Sequence, residues 1–436
     1  MIKKTIFALG AAVVLSFPAI AQQRPLLDEA ATRITLDDAV ARAVVLNPQM
    51  AQSEQSVVNA GESRRTALGA FLPSLSTNSG MSMRSTERFD PGTDRLVTGS
   101  TNSYNAGLRA SYTLFQGGQR FSELGRARAD LAVAEARRED QRFNVVLETK
   151  SLFFQALRQE ELLEVARRRI EQATQSLDMT RAQQQVGGGT TSDTLRARLE
   201  LINARQAVLN AESQTRAARF GLGRQVGLAE PVIPVVPEDL APSPLPFQEA
   251  ELLEVAENQA PSVLAARGAV LAAQEAYSSS KSVYIPSLSL SSGYNWSNQQ
   301  ASFTGGNASW NLGFSMSYSL FNGFSREANI IRAEYSTRVA RLQEDEARLR
   351  SHEEADVALR SLETAELAIG IAGEAVAVAD EDLRVTRERY RVGVAIILDV
   401  VTSQIASDQA RVDLVNARYD YVLARAQLEA ILGRDL

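Results

Sequence analysis

The chain is written twice. "FLPSLS" at 71–76 returns as "YIPSLS" at 284–289, 213 residues later. "YTLFQGG" at 112–118 returns as "YSLFNGF" at 318–324, 206 residues later. The second offset then holds without a gap, carrying Val186-Gly187 onto Val392-Gly393, Asp193 onto Asp399 and Val226-Gly227 onto Leu432-Gly433. A chain of 436 residues has room for two or three ordinary domains, and this repetition makes it two copies of one plan. The difference of 7 residues between the offsets falls between the two matched strands, which predicts a longer loop in the first hairpin. Between the copies lies "EPVIPVVPEDLAPSPLPF", with six of the 13 prolines, an extended linker.

Each copy contains a rod. Proline is absent from 92–230 and from 287–436, and an interior proline would cost a helix about 3 kcal/mol. Residues 119–186 and 325–391 are rich in Ala, Leu, Arg, Glu and Gln, all good helix formers. At 1.5 Å per residue such a helix reaches roughly 100 Å. An apolar stripe runs along the first rod through Val145, Leu152, Ala156, Leu163, Ala166, Ile170, Ala173 and Leu177, with Thr149 and Gln159 as polar members. The second rod repeats it from Ala355 through Leu362 and Ile369 to Leu383. A 3.5-residue repeat is a coiled-coil seam. On the helices alone an ordinary soluble coiled coil or bundle is the favoured reading.

The strands point elsewhere. In "WNLGFSMSYSL" (310–320), Trp310, Leu312, Phe314, Met316, Tyr318 and Leu320 alternate with Asn, Gly and Ser. Tyr104, Ala106, Leu108, Ala110, Tyr112 and Leu114 repeat that parity, as do Leu288, Leu290, Tyr294 and Trp296, and more weakly Leu75 to Met83. Each run is about 10 residues, the length of a tilted membrane strand, with terminal aromatics suited to an interface. The alternate positions are mostly small and neutral, which suits a watery lumen. Four strands cannot close a barrel, since barrels start at about 8 strands, and open edges are not tolerated in lipid. Strands like these in a membrane require several copies, and a trimer supplies 12 strands.

The inventory excludes much else. There is no cysteine, and the one histidine, His352, sits in the charged run "LRSHEEAD" as a solvated helix residue. Thiolate metal sites, disulfides and Ser-His-Asp chemistry are thereby excluded or disfavoured, and no cofactor is expected. Residues 1–21 read as a secretory signal: Lys3 and Lys4, an apolar stretch over 5–17, then Ala19-Ile20-Ala21. Its removal leaves 44 basic against 52 acidic residues, a charge of −8 with no footprint for nucleic acid. No run of 18 apolar residues follows, so no transmembrane helix is expected.

Signal, two strand-strand-helix-helix copies and paired "VGxxxxxD" turns together resemble the TolC-like outer-membrane efflux proteins. The most specific stretch is "YRVGVAIILDVVTSQIASDQARVDLVNARYDYVLARAQLEAILG", and "AVVLNPQM" near the start also fits. The resemblance spans the mature chain. It implies a mainly α protein with a membrane β part: a homotrimer whose strands share one 12-stranded β-barrel and whose rods form a trimeric α-helical barrel across the periplasm. It further implies an exit duct in the outer membrane, in contact with its lipid, recruited by a periplasmic adaptor protein and energised by an inner-membrane pump, ABC-type or proton-driven. The mature start, Gln22, is not a cysteine, which leans toward the secretion-type branch rather than the lipid-anchored one. The rival is a periplasmic adaptor with coiled-coil hairpins; adaptors usually carry one hairpin, and this chain has two.

The expected layout is a first repeat over 22–227, with strands about 74–84 and 103–115, long helix 119–186 and returning helix 192–226. The proline-rich linker follows at 228–247, as part of a belt. A second repeat over 248–436 has strands about 287–297 and 308–321, long helix 325–391 and returning helix 397–432.

The turns Val186–Asp193 and Val392–Asp399 join each rod to its returning helix, with Gly187 and Gly393 placed to end the rods. The resemblance makes them the closed periplasmic tip and the adaptor-contacting surface, through Val186, Gly187, Gly188, Val392, Gly393, Val394 and Ala395. The run Val394 to Leu398 suits a partner or a neighbouring turn. Asp193 and Asp399 suit a helix start, and Asp399 also matches a pore-facing family aspartate whose three copies could attract cations. A second aspartate of the family is replaced by Thr402 and a latch arginine by Ala395, whereas Tyr390 matches a latch residue able to reach Asp193.

Overall fold

A computed structural model describes residues 32–436 apart from 93, 238–241, 246–247 and 303; the signal expected over 1–21 lies outside the described residues. In chain order the elements are β1 (Arg33–Ile34), α1 (Leu36–Leu46), α2 (Pro48–Gly69), β2 (Ser74–Asp90), β3 (Arg95–Gln116), α3 (Gln119–Gln185) and α4 (Thr191–Gln225). Then follow β4 (Ile233–Pro234), α5 (Glu249–Gln259), α6 (Pro261–Lys281), a short 3-10 turn, β5 (Ser287–Asn298), β6 (Asn307–Ser317), α7 (Ser325–Arg391) and α8 (Ile397–Leu432).

Each copy therefore opens with a helix pair that strand and rod patterns did not reveal. The pairs begin at Leu36 and Glu249 and break at Pro48 and Pro261, keeping the 213-residue offset. Proline is tolerated there because the first helical N–H has no intrahelical acceptor. Asn47, in "AVVLNPQM", closes one helix and starts the next, its Oδ1 accepting the N–H groups of Gln49 (2.7 Å) and Met50 (3.3 Å).

The rods α3 and α7 are 67 residues each, at the same 206 offset. The stripe is where the chain packs on itself: Val145, Ala156, Leu163, Ala173 and Leu177 are buried, as are Ala355, Leu362, Ala372 and Leu383. On the tip side, α3 lies between α4 and α8, and α8 lies between α3 and α7; on the sheet side the order is α2, α3, α6, α7. At the waist, β1 pairs in parallel with β4, Arg33 opposite Ile233. This ties the linker over a core of Phe153, Phe154, Leu222, Val226, Val232 and Tyr419. Among the described residues no helix is long and apolar enough to cross a membrane.

The sheet is antiparallel, ordered β2-β3-β5-β6. The two hairpins match in register: Leu75 faces Ala110, and their equivalents Leu288 and Met316 face each other. Opposed residues share a face, so Leu75, Met81, Leu108, Tyr294, Trp310, Phe314 and Met316 lie on one side and Asn78, Gly107, Asn295 and Asn311 on the other. Among the described residues no helix covers the apolar side: Met81, Leu108, Trp310, Leu312, Phe314 and Met316 are all exposed. Strands β2 and β6 each have one unpaired long edge among the described residues.

Three expectations about the sheet are corrected. The extra residues of the first hairpin lengthen its strands, not its loop: β2 has 17 residues and β3 has 22, against 12 and 11 for β5 and β6. The first turn spans 91–94 and the second loop 299–306. Pairing satisfies backbone groups that a loop would leave to solvent. The strand expected over 308–321 stops at Ser317, where the chain turns toward the rod. A register shift between Thr113 and Phe115 then puts Phe115, rather than Leu114, opposite Leu288, because one bulged residue reverses the parity beyond it.

Two arginines at equivalent positions join sheet to rod. Arg120 lies over the rings of Phe71 (5.3 Å) and Tyr112 (5.7 Å) and donates to the carbonyls of Ala70 and Leu114. Arg326 lies over Tyr284 (4.3 Å) and donates to the Ser319 carbonyl. A guanidinium over an aromatic face with its N–H groups on carbonyls fixes both partners at once.

Candidate functional site

The two rod-to-return turns lie together at the end of the helices far from the sheet. Both rods end in the same cap. The Gly187 N–H donates to the Gln184 carbonyl (3.1 Å) and the Gly188 N–H to the Gln183 carbonyl (2.9 Å); Gly393 and Val394 repeat this on Tyr390 (3.0 Å) and Arg389 (2.8 Å). Val186 and Val392 are the last residues before the turn, and Gly187 and Gly393 are left-handed, φ +77° and +81°. This is the Schellman pattern, in which a left-handed residue lets the chain leave while two orphan carbonyls are satisfied. A Cβ at either glycine would meet nothing within 4 Å, so only backbone strain demands glycine there. Gln183 Nε2 donates to the Arg391 carbonyl (3.0 Å), joining one turn to the other.

The aspartates start the returning helices. Asp193 Oδ2 accepts from the Thr190 N–H (3.0 Å) and hydroxyl (2.8 Å), and the Asp193 N–H donates back to Thr190 Oγ1 (3.2 Å), a reciprocal capping box. Asp399 Oδ2 accepts the Ile396 N–H (3.2 Å). Isoleucine has no side-chain acceptor to return, so this second cap has only one arm. The Asp399 residue stays exposed while it caps.

Tyr390 does not make the bond its position promised. Its side chain is buried against Ile397, Val400 and Met179, and its hydroxyl has no hydrogen-bond partner among the described residues. The carboxylate that would receive it is turned onto Thr190. Burial first, and the Asp193 charge second, push the Tyr390 ionisation up. Thr402 is exposed and bonds back to the Leu398 carbonyl (2.8 Å). In the run 394–398, Val394, Ile396 and Leu398 are exposed, whereas Ile397 is fully buried and the partly buried Ala395 packs beside it, so three of the five residues face outward.

Sequence reasoning missed a polar knot further along the same helices. Arg169 on α3 holds Glu200 of α4 at 2.6 and 3.0 Å and approaches Asp408 of α8 at 3.6 Å. Beside it Asp380 on α7 takes Arg411 at 2.7 Å and the Ser407 hydroxyl at 2.6 Å. Burial, aided by the Glu200 charge, outweighs Arg169, Arg411 and Arg387 and pushes the Asp408 carboxyl up to about 6. The knot ties the first hairpin to the second. Its charges look like any others in helices rich in Arg and Glu, so no periodic signal marks them.

A bare four-stranded sheet at one end of two duplicated rods, with capped turns at the other, is the subunit architecture of an outer-membrane channel. The chain belongs to the outer membrane efflux protein family, whose profile matches residues 39–228 and 252–434. It is an exit duct of the outer membrane extending into the periplasm, not the adaptor considered as its rival. Among curated relatives it is 26% identical over 399 residues to the outer membrane protein TolC of Vibrio cholerae, covering 89% of this chain and 88% of that one. It is 24% identical over 426 residues to the alkaline protease secretion protein AprF of Pseudomonas aeruginosa, covering 94% and 86%. The solved outer membrane protein VceC of Vibrio cholerae shares the fold with a TM-score of 0.77 at 18% identity, over 92% of this chain and 96% of that one.

Proposed function

We propose that three copies of this chain close one duct and that the capped turns form its periplasmic gate. The observation that carries the proposal is the sheet: two long edges unpaired and an apolar face uncovered, a state lipid does not tolerate until the edges meet. Three sheets of four strands give a 12-stranded barrel with the Ser, Asn and Gly face lining the lumen and the apolar face against outer-membrane lipid. The rods continue that tube into the periplasm. Cargo passes unmodified, and the chain performs no catalysis.

At the gate, three exposed Asp399 carboxylates converge around the axis and draw cations, with Thr402 one turn along as a neutral neighbour. Tyr390 helps keep the two hairpins of each copy together by packing against Met179, while Asp193 caps its own helix on Thr190. A periplasmic adaptor grips the tip through the two turns, at Val186, Gly187 and Gly188 and at Val392, Gly393, Val394 and Ala395. An inner-membrane pump supplies the energy. The likeness to a protease secretion protein favours polypeptide cargo.

Gly393→Trp tests the adaptor contact. A Cβ at that glycine meets nothing within 4 Å, so the chain should fold, with about 1–3 kcal/mol of local strain from a left-handed non-glycine residue. Export in cells should fall to background while the outer-membrane level of the protein is unchanged. Normal export from the variant would remove the second turn from the contact surface.

A further inference from the structure

The strands that would form the barrel wall carry almost no charge, and what they carry has one sign. Over 74–86 of β2, 101–116 of β3 and the whole of β5 and β6, the charged residues are Arg84 and Arg109 alone. Both belong to the face of Asn78, Gly107, Asn295 and Asn311. Arg109 lies opposite Ser76 on one side and Gly293 on the other, and Arg84, six residues beyond Asn78 on β2, lies opposite Thr101. Glu87, the nearest acid on β2, has the parity of Met81 and belongs to the other face. Resting on the reading that copies of this chain close a common barrel for polypeptide cargo, we propose that Arg109 and Arg84 form two levels of cationic sites in the lumen. These sites take the carboxylates of acidic polypeptide on its way out.

The fold makes no use of either guanidinium. Both residues are exposed, and neither side chain has a hydrogen-bond or ion-pair partner among the described residues. Arg120 and Arg326, by contrast, bind sheet to rod over aromatic rings. The second copy shows that serine suffices at both places. Ser76 faces Arg109 as Ser289 faces Ser315, and Arg84 faces Thr101 as Ser297 faces Asn307. The wall around Arg109 is also low. A Cβ on Gly107 would meet Asn295 Oδ1 at 2.7 Å and Asn78 Oδ1 at 2.9 Å, and one on Gly293 would meet Asn311 Oδ1 at 2.7 Å, so these amides lie over the glycines. The arginine is the longest side chain among them. On the lipid side of a barrel such a charge is destabilising, whereas on the lumen side it tunes what passes.

A guanidinium keeps its charge at any working pH, and its planar fork of N–H donors matches a carboxylate. Rings of arginine or lysine are how pores favour anions. From Ser76, the partner of Arg109, to Arg84 is eight residues along β2, a rise of roughly 26 Å. One extended peptide of about ten residues therefore reaches both levels. Contacts made through one chain act as linked sites, so a polyanion gains far more than a single small anion does. The preference for small ions belongs to the acidic tip at Asp399. A tube that is acidic at the tip and basic in the barrel draws a polyanion away from the tip once it has passed.

The test is current block in single channels of full-length protein in planar bilayers at about 0.1 M salt, where the Debye length is about 10 Å. An oligoglutamate of about ten residues should interrupt the current, and oligoglutamine of the same length should not. In the wild type, raising the salt to about 1 M, with a Debye length of about 3 Å, should relieve the block. Arg109→Ser and Arg84→Ser should each raise the half-blocking concentration several-fold, and together they should abolish the block. Block that survives in the double variant or at high salt, or equal block by oligoglutamine, would overturn the lumen sites and leave the closed barrel standing. Trimeric wild-type protein that gives no conductance steps would overturn both the lumen sites and the barrel reading on which they rest.

Discussion

At the first tip the chain runs Val186-Gly187-Gly188-Gly189-Thr190-Thr191; at the second it runs Val392-Gly393-Val394-Ala395-Ile396-Ile397. Both make the same two Schellman bonds, and both place an aspartate six residues after the left-handed glycine to start the next helix. The first turn then offers glycine and hydroxyl to solvent, with a complete capping box. The second offers Val394, Ile396 and Leu398, and its cap has one arm. Two copies of one backbone have kept the bonds that end a helix and diverged in what faces outward. The cap is a structural requirement; the apolar exposure at the second tip is not, and that is where a partner is to be sought.

The widest gap between the tips is expected for a charge placed at equivalent points. Val394→Glu should abolish export with folding unchanged, by circular dichroism and outer-membrane level, whereas Gly188→Glu, at the more polar turn of the same contact surface, should lower it only in part. Equal loss at both tips would break the distinction. Next comes the aspartate pair. Asp399→Ala should weaken cation block at the periplasmic mouth several-fold in bilayer recordings and leave assembly intact; an unchanged block would take Asp399 out of the pore.

A smaller effect is expected at the knot behind the tips. A carboxyl held near 6, above its ordinary 3.8, binds its proton in the folded chain before the unfolded one does. Its ionised form therefore costs stability above about pH 6, and that cost is relieved as pH falls toward 4. Asp408 is faced by Arg169 from α3, Glu200 from α4, Arg387 from α7 and Arg411 on its own helix. Asp408→Asn should melt higher than wild type at pH 7.5, and the difference should shrink by pH 4.5. An Asn variant that melts below wild type at pH 7.5 would show that the pairing with Arg169 outweighs burial. The smallest effect belongs to Tyr390→Phe. It removes a buried hydroxyl without a partner, so the melting temperature should hold or rise slightly. A loss on the order of 1 kcal/mol or more would reveal a bond formed in solution.

The parts of this molecule legible in sequence are those where one period governs many residues. Alternation in Trp310 to Met316 and the 3.5-residue stripe of α3 each rest on repeated burial or exposure, so single exceptions did not hide them. Helix α2 was invisible because it packs as an outer element with only Met50 buried, and its sequence lacks an apolar face. The long first hairpin was misjudged because its outer strand residues, such as Ser85 and Thr86, are as polar as a loop. The bulge before Phe115 depends on one residue, below the resolution of any pattern. At the tip, spacing placed Tyr390 near Asp193, but which donor a carboxylate accepts from depends on local geometry, and here it accepts from Thr190. The Arg169–Glu200–Asp408 knot needs three helices at once, information that no single helix carries.

The most direct measurement is single-channel recording in planar bilayers with size-separated detergent extracts. Trimeric fractions should insert as discrete, cation-preferring conductance steps, and monomeric fractions should give none. Steps of equal size from monomer would contradict the account, because a lone sheet with two bare edges would then have sealed a pore by itself.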